Sequence, residues 1–209
     1  MINVALNFIR EYLDQTLTAY GVTGLGNVKV VNISKADNST GTADGDINIT
    51  LLHIEEERMV KEPYVLRRST ITPGHIDVLN PEVKLNVYVI ISSEESTASD
   101  YLGALMRLSY VIVAFQEKNY FTQAEITSYI TTDNDFSFTG TTAGTYVLER
   151  ITCDLNTLTL DQGSNLWQAI RGKMMPYVVY KLRLVALRHD APLKSGPEIL
   201  EVSINANGS

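Results

Sequence analysis

Apolar residues open the chain at helical spacing. Ile2, Leu6, Ile9, Leu13 and Leu17 recur every three or four positions, with Asn7, Arg10, Glu11 and Asp14 on the other faces. This predicts an amphipathic helix over residues 1–20, stopped by Gly21 and Gly24. A short β-branched run, 28–34, reads as a strand, and the polar, Asn-, Ser-, Thr- and Gly-rich stretch 35–45 as a turn or loop. A second strand runs from Ile47 to Glu56. Leu85, Val87, Val89 and Ile91 alternate with Tyr88 and Ile90, so 84–92 predicts a strand covered on both faces. Tyr101, Leu105, Leu108, Ile112 and Phe115 step by four, three, four and three, a helical stripe over 99–116. Val147, Ile151, Cys153 and Leu155 face inward on a strand at 147–155. Residues 164–171 form a short helix carrying Leu166, Trp167 and Ile170. Residues 176–188 alternate Val178, Tyr180, Leu182, Leu184 and Ala186 against Lys181 and Arg183. A last strand is expected at 199–204.

Strands arrive in succession rather than in strict alternation with helices. The order predicts an α+β domain built on one mixed, mainly antiparallel sheet with flanking helices. The exception is 58–83, where Pro63, Pro73, Gly74 and Pro81 break the pattern and only 64–71 reads as a strand. We read it as an extended arm or hairpin on a domain spanning 1–190, with 191–209 as a C-terminal strand and polar tail.

The strand at Ile47 runs into Glu55-Glu56-Glu57-Arg58, and three adjacent carboxylates beside an apolar run need water, a cation or a partner. Composition narrows the choice. The 209 residues carry a net charge of −7, which argues against a nucleic-acid binder and against attraction to an anionic membrane. Cys153 is the only cysteine, so no intrachain disulfide forms, and a reducing cytoplasm is the expected folding compartment. Polar residues interrupt any signal-peptide core at the start, and no apolar run is long enough to span a bilayer.

Chemistry finds little support. His53, His75 and His189 lack close ligand spacing, and alternation along a strand keeps Glu55, Glu56 and Glu57 from converging on one metal ion. Cys153 sits on an apolar strand face, where thiols are packing. Gly-x-Ser-x-Gly, phosphate-loop and dinucleotide fingerprints are absent. Gly21 to Gly26 follows a helix and reads as its stop. Trp167, Tyr88 and Tyr180 read as core or core rim. Arg67 and Arg68, on the arm of an acidic chain, suit a protein partner carrying carboxylates. What remains is an interaction protein with no cofactor, its open sheet edge suited to accept an extended segment.

Several segments together resemble one family. Thr50-Leu51-Leu52-His53-Ile54-Glu55-Glu56-Glu57-Arg58 is similar to its strand ending in Ile-Glu-Glu-Glu-Arg. Leu85-Asn86-Val87-Tyr88-Val89 resembles its Leu-Asn-Leu-Tyr-Val strand. Tyr101, Ala104-Leu105, Leu108-Ser109, Val111-Ile112 and Phe115-Gln116 match its central helix, and Phe121-Thr122 follows in place. Leu166-Trp167, Met175-Pro176 and Tyr180-Lys181-Leu182-Arg183 resemble its late segments. This is the tail-terminator, or cap, family of contractile injection systems of the antifeeding-prophage and Photorhabdus virulence cassette type. The resemblance covers about residues 1 to 190. Val178 stands near a usually small polar position, and some relatives carry a further C-terminal extension.

The resemblance implies a phage tail-terminator-like fold and a structural role in a bacterial phage-tail-like particle, without catalysis or cofactor. A homo-hexameric ring would stop the inner tube protein and hold the last ring of sheath protein, at the end distal from the baseplate. The alternative is a tube or baseplate component of the same particle. Glu55, Glu56, Glu57, Arg58, Arg67 and Arg68 are then expected at subunit–subunit or ring–tube contacts, because such contacts use charge for register. The sheet edge, or the segment after Pro197, is expected to take an extended piece of sheath protein.

Overall fold

A computed structural model of the chain describes residues 2–22, 25–33, 46–57, 65–69, 71–79, 83–94, 101–129, 146–148, 150–170, 174–189 and 194–198. The loop expected at 35–45, Gly24, Arg58, most of the polar loop at 94–99, the Thr- and Gly-rich stretch 139–144 and the strand expected at 199–204 lie outside the described residues.

The first helix, α1 (Ile2–Ala19), buries Val4, Leu6, Phe8, Ile9, Tyr12, Leu13 and Leu17. It is followed by β1 (Val28–Val30) and β2 (Ile47–Glu56), which pair in parallel. The arm supplies β3 (Val65–Arg68) and β4 (His75–Leu79). Then come β5 (Val83–Ser93), α2 (Tyr101–Glu117), β6 (Tyr120–Thr122) and α3 (Gln123–Tyr129). The C-terminal part contributes β7 (Tyr146–Val147), β8 (Arg150–Leu155), α4 (Leu160–Ile170), β9 (Tyr177–His189) and β10 (Lys194–Pro197).

The main sheet runs β1-β2-β5-β9-β8-β6, with β7 added to the far end of β9. Every pairing but β1–β2 is antiparallel, so the sheet is mixed and mainly antiparallel, as the strand order predicts. One face carries the core. Val87, Val89 and Ile91 of β5, Tyr180, Leu182 and Leu184 of β9, and Ile151 and Cys153 of β8 pack there with α1, α2 and α3. Aromatic side chains tie these layers together: Phe8 meets Phe121 edge-on at 4.9 Å and Tyr129 at 5.4 Å, and the Tyr12 hydroxyl donates to the Ala114 carbonyl. On the opposite face, α4 covers Ile33, Ile90, Met175 and Val179 through Trp167. Gly163 admits the Tyr177 hydroxyl, which would lie 2.5 Å from a Cβ at that position.

The arm is more regular than its sequence suggests. β3 and β4 form a hairpin turned by Ser69, whose hydroxyl accepts from the Ile71 and Thr72 amides, and by Gly74 at a φ of 75°. β10 pairs with β4, giving a second, three-stranded sheet in the order β10-β4-β3. Four further differences are local. Helix α4 begins four residues earlier than the apolar residues indicate. Its start is a capping box: the Gln162 amide donates to Thr159 Oγ1 and the Thr159 amide to Gln162 Oε1. At the start of α3, which hydrophobic spacing alone does not reveal, the Thr122 amide and hydroxyl both donate to the Glu125 carboxylate. Leu155 lies on the expected face but is 54% exposed at the strand end. In α2 the buried side is Ala104, Arg107, Leu108, Val111, Ala114 and Phe115, so the stripe is rotated: Tyr101 and Leu105 face solvent. That helix is apolar nearly all round, and spacing cannot select one face of such a helix. Among the described residues, no helix is long and apolar enough to cross a membrane.

Phe8 is fully buried at the junction of α1, β6 and α3. Phe8→Ala is expected to lower unfolding free energy by about 3–5 kcal/mol in urea titration; a loss below about 1 kcal/mol would contradict this packing.

Candidate assembly interface

β2 alternates in register with β5 from Ile47 to Leu51, placing Ile47, Ile49 and Leu51 on the helix-covered side opposite Ser93, Ile91 and Val89. Unbroken alternation would put His53, Glu55 and Glu57 on that same side. Instead the register shifts between Leu51 and His53, and Leu52 is the extra residue of a β-bulge. Beyond it Ile54 pairs with Val87 and Glu56 with Leu85 on the helix side, while His53 pairs with Tyr88 and Glu55 with Asn86 on the other.

The continuing registers build a polar lattice. One row runs Glu55, Asn86, Arg183, Thr152; the next runs His53, Tyr88, Lys181, Asp154. Directly behind them lie Val87, Leu182 and Cys153, all buried. Tyr88 donates to Glu55 at 3.1 Å and stacks with His53 at 6.2 Å between ring centroids. Asn86 donates to Glu57 at 3.0 Å. The Lys181 ammonium sits 5.8 Å from the Tyr88 ring centre, and Arg183 binds Asp154 at 2.7 Å through Nε. Arg183 and Asp154 pair opposite charges across β9 and β8, while Glu55 and Glu57 take neutral donors; Asn86 is buried and the other groups are half or largely exposed.

Of the expected site residues, the structure brings Glu55 and Glu57 together on this open face. Glu56 points to the other side, and Arg58 lies outside the described residues. Arg67 and Arg68 sit on the separate arm sheet, opposite Asp77 and Ile76. Arg68 pairs with Glu198 at 3.2 Å, and its side chain is 85% exposed. The Arg183–Asp154 pair and the Asn86–Tyr88 contacts were not picked out from sequence, although Lys181 and Arg183 already stood apart from the apolar face of their strand. Burial pushes the Cys153 thiol well above its ordinary range, the opposite of what a nucleophile needs.

Residues 5–201 match the model of the Pvc16 N-terminal domain family. The chain belongs to that family. Among solved structures, the PVC sheath/tube terminator of an extracellular contractile injection system, in its extended state, superposes with a TM-score of 0.57 at 13% identity. That match covers 97% of this chain and 63% of the terminator. The anti-feeding prophage cap, a tube terminating cap, gives a TM-score of 0.55 at 13% identity, covering 97% of this chain and 59% of the cap. This chain therefore spans about three fifths of the length of the structures it resembles. No curated protein sequence matches it significantly. Identity this low establishes the fold, and that fold is the terminator fold anticipated from the sequence segments.

The facing of β8 has a chemical readout. A thiol reagent such as Ellman's is expected to find no reactive Cys153 in the folded protein at pH 8, and one equivalent after denaturation. Prompt labelling of native protein would place Cys153 on the open face and contradict the register.

Proposed function

We propose that this protein caps a contractile injection system: a ring of six copies ends the inner tube and anchors the last sheath ring, at the end distal from the baseplate. The observation carrying this reading is the terminator fold, matched over 97% of the chain in two injection-system caps. Family membership supports it. The role is structural and needs no bond-making chemistry. Assembly takes place in the bacterial cytoplasm, and the finished particle acts outside the cell.

A cap must grip one tube end and offer no surface on which a further tube ring can stack. The lattice around Glu55 and Glu57 suits the first task. Its ion pair, Arg183–Asp154, is exposed and weak, about 0–1 kcal/mol, but the fixed spacing of the polar groups across four strands sets rotational register. We assign it, with Glu56, Arg58, Arg67 and Arg68, to contacts with the tube or with ring neighbours. The arm sheet, closed by β10, lies next in sequence to the segment after Pro197 that we assign to the sheath.

The test is to image particles made without this protein. Tubes of uncontrolled length that have lost sheath are expected, and wild-type chain supplied in trans restores the length. Glu55→Lys with Glu57→Lys, supplied the same way, is expected to restore it poorly while keeping the native circular dichroism spectrum. Normal, fully sheathed tubes without the protein would refute the cap reading; full rescue by the double variant would remove these two acids from the contact.

A further inference from the structure

Two helices lie over the same face of the sheet, and they treat water differently. The outward side of α1 is polar, with Asn7, Arg10, Glu11 and Asp14. The outward side of α2 is Tyr101, Leu102, Leu105, Met106 and Val113, with Leu102 77% exposed. The only charged residues of α2 are Arg107 and Glu117. Arg107 is turned inward, where Nε donates to the Ser93 hydroxyl and Nη2 to the Glu94 carbonyl. Glu117, at the last residue, accepts from the Tyr20 hydroxyl. The stripe from Tyr101 to Val113 is therefore uncharged over about 18 Å, at 1.5 Å per residue. Beside it opens a groove of about 680 Å³ lined by Leu105, Ile112, Met174, Met175 and Pro176. Isolated exposed apolar residues are ordinary; a contiguous stripe joined to a Met-lined groove has the composition of an assembly interface.

A second, separate apolar patch lies at the β1 edge of the sheet. Val30 pairs with Ile49, Leu51 with Val89 and Ile54 with Val87, so all three face the helix side. They are 41%, 39% and 39% exposed. β1 pairs only with Ile47 to Ile49, so among the described residues no strand pairs along the outer side of β2 from Leu51 to Glu56. Glu56 follows Ile54 on that face and supplies a polar rim.

We propose that the α2 stripe of one copy of this chain packs against the Val30–Leu51–Ile54 edge of the next, joining copies head to tail. Both patches are uncharged, so each offers what the other needs. A two-fold contact of α2 with α2 would close a dimer and leave the edge patch in water. Pairing unlike patches covers both and repeats until a ring closes. The inference rests on the ring reading above and names the surfaces that make it.

Variants that spoil one patch at a time provide the test, using the full chain. Leu102→Glu with Met106→Glu spoils α2; Leu51→Glu with Ile54→Glu spoils the edge. Light scattering is expected to find the wild type in an assembly of several copies and each variant as a monomer of 23.2 kDa. That corresponds to association weakened at least about a hundredfold. An equal mixture of the two variants is expected to give a dimer and nothing larger, because each brings one intact patch. Circular dichroism and melting temperature check folding; Leu102→Gln and Ile54→Thr replace any variant that unfolds, and are expected to weaken association in the same direction. A monomeric wild type, a variant that keeps the wild-type mass, or a mixture that stays monomeric would each overturn the proposal. None of these touches the tube-length result, so a protein that ends tubes without joining through these patches refutes this pairing and leaves the cap reading standing.

Discussion

The structure turns on how β2 is held against β5. The two strands must stay hydrogen-bonded through ten residues of β2 while its sequence changes from Ile-Asn-Ile-Thr to acid. A strand has only two faces, and here one of them is the core. Had alternation continued unbroken, Glu55 and Glu57 would stand on the side of Val87 and Leu182, away from the Tyr88 and Asn86 groups that now donate to them. The extra residue at Leu52 resets the phase. Hydrophobic Ile54 returns to the helix side, and the acids turn to the face where Asn86, Tyr88, Lys181 and Arg183 wait in register. One inserted residue thus decides which face of the sheet carries Glu55 and Glu57.

The rest of the architecture follows from having two unlike faces. Behind the lattice, β5, β9 and β8 offer a continuous apolar surface on which three helices pack. In front, α4 covers only the part of the sheet around Ile90 and Val179 and leaves the part around Tyr88 and Lys181 in water. Half of that face is core and half is surface. On β5, β9 and β8 the lattice stands on strands whose backs are buried at Val87, Leu182 and Cys153, so its groups keep their spacing.

Much of this was legible in the sequence. The long strands and the first helix follow from period, since each buries one clean face. Segment resemblance reached the terminator fold that the structural comparison then bore out. Other features were hidden for physical reasons. A bulge leaves no mark in a run such as Leu51-Leu52 when both residues are apolar. β4 and β10 are short, and the Ser-Gly-Pro of β10 has poor strand propensity; it pairs because the arm hairpin gives it a partner. The rotation of α2 was invisible because Leu102, Leu105 and Met106 look as core-like as Leu108 and Val111, and only the inward turn of Arg107 breaks the tie. The starts of α3 and α4 were in fact written in Thr122-x-x-Glu125 and Thr159-x-x-Gln162, and capping chemistry would have found both.

The cap we propose is positional: one ring of copies at a single end of the particle, beyond the last tube ring. Electron microscopy of intact particles carrying a gold-labelled tag on the chain measures that position directly. Label is expected at the single end opposite the baseplate. Label spread along the tube, or gathered at the baseplate, would contradict it.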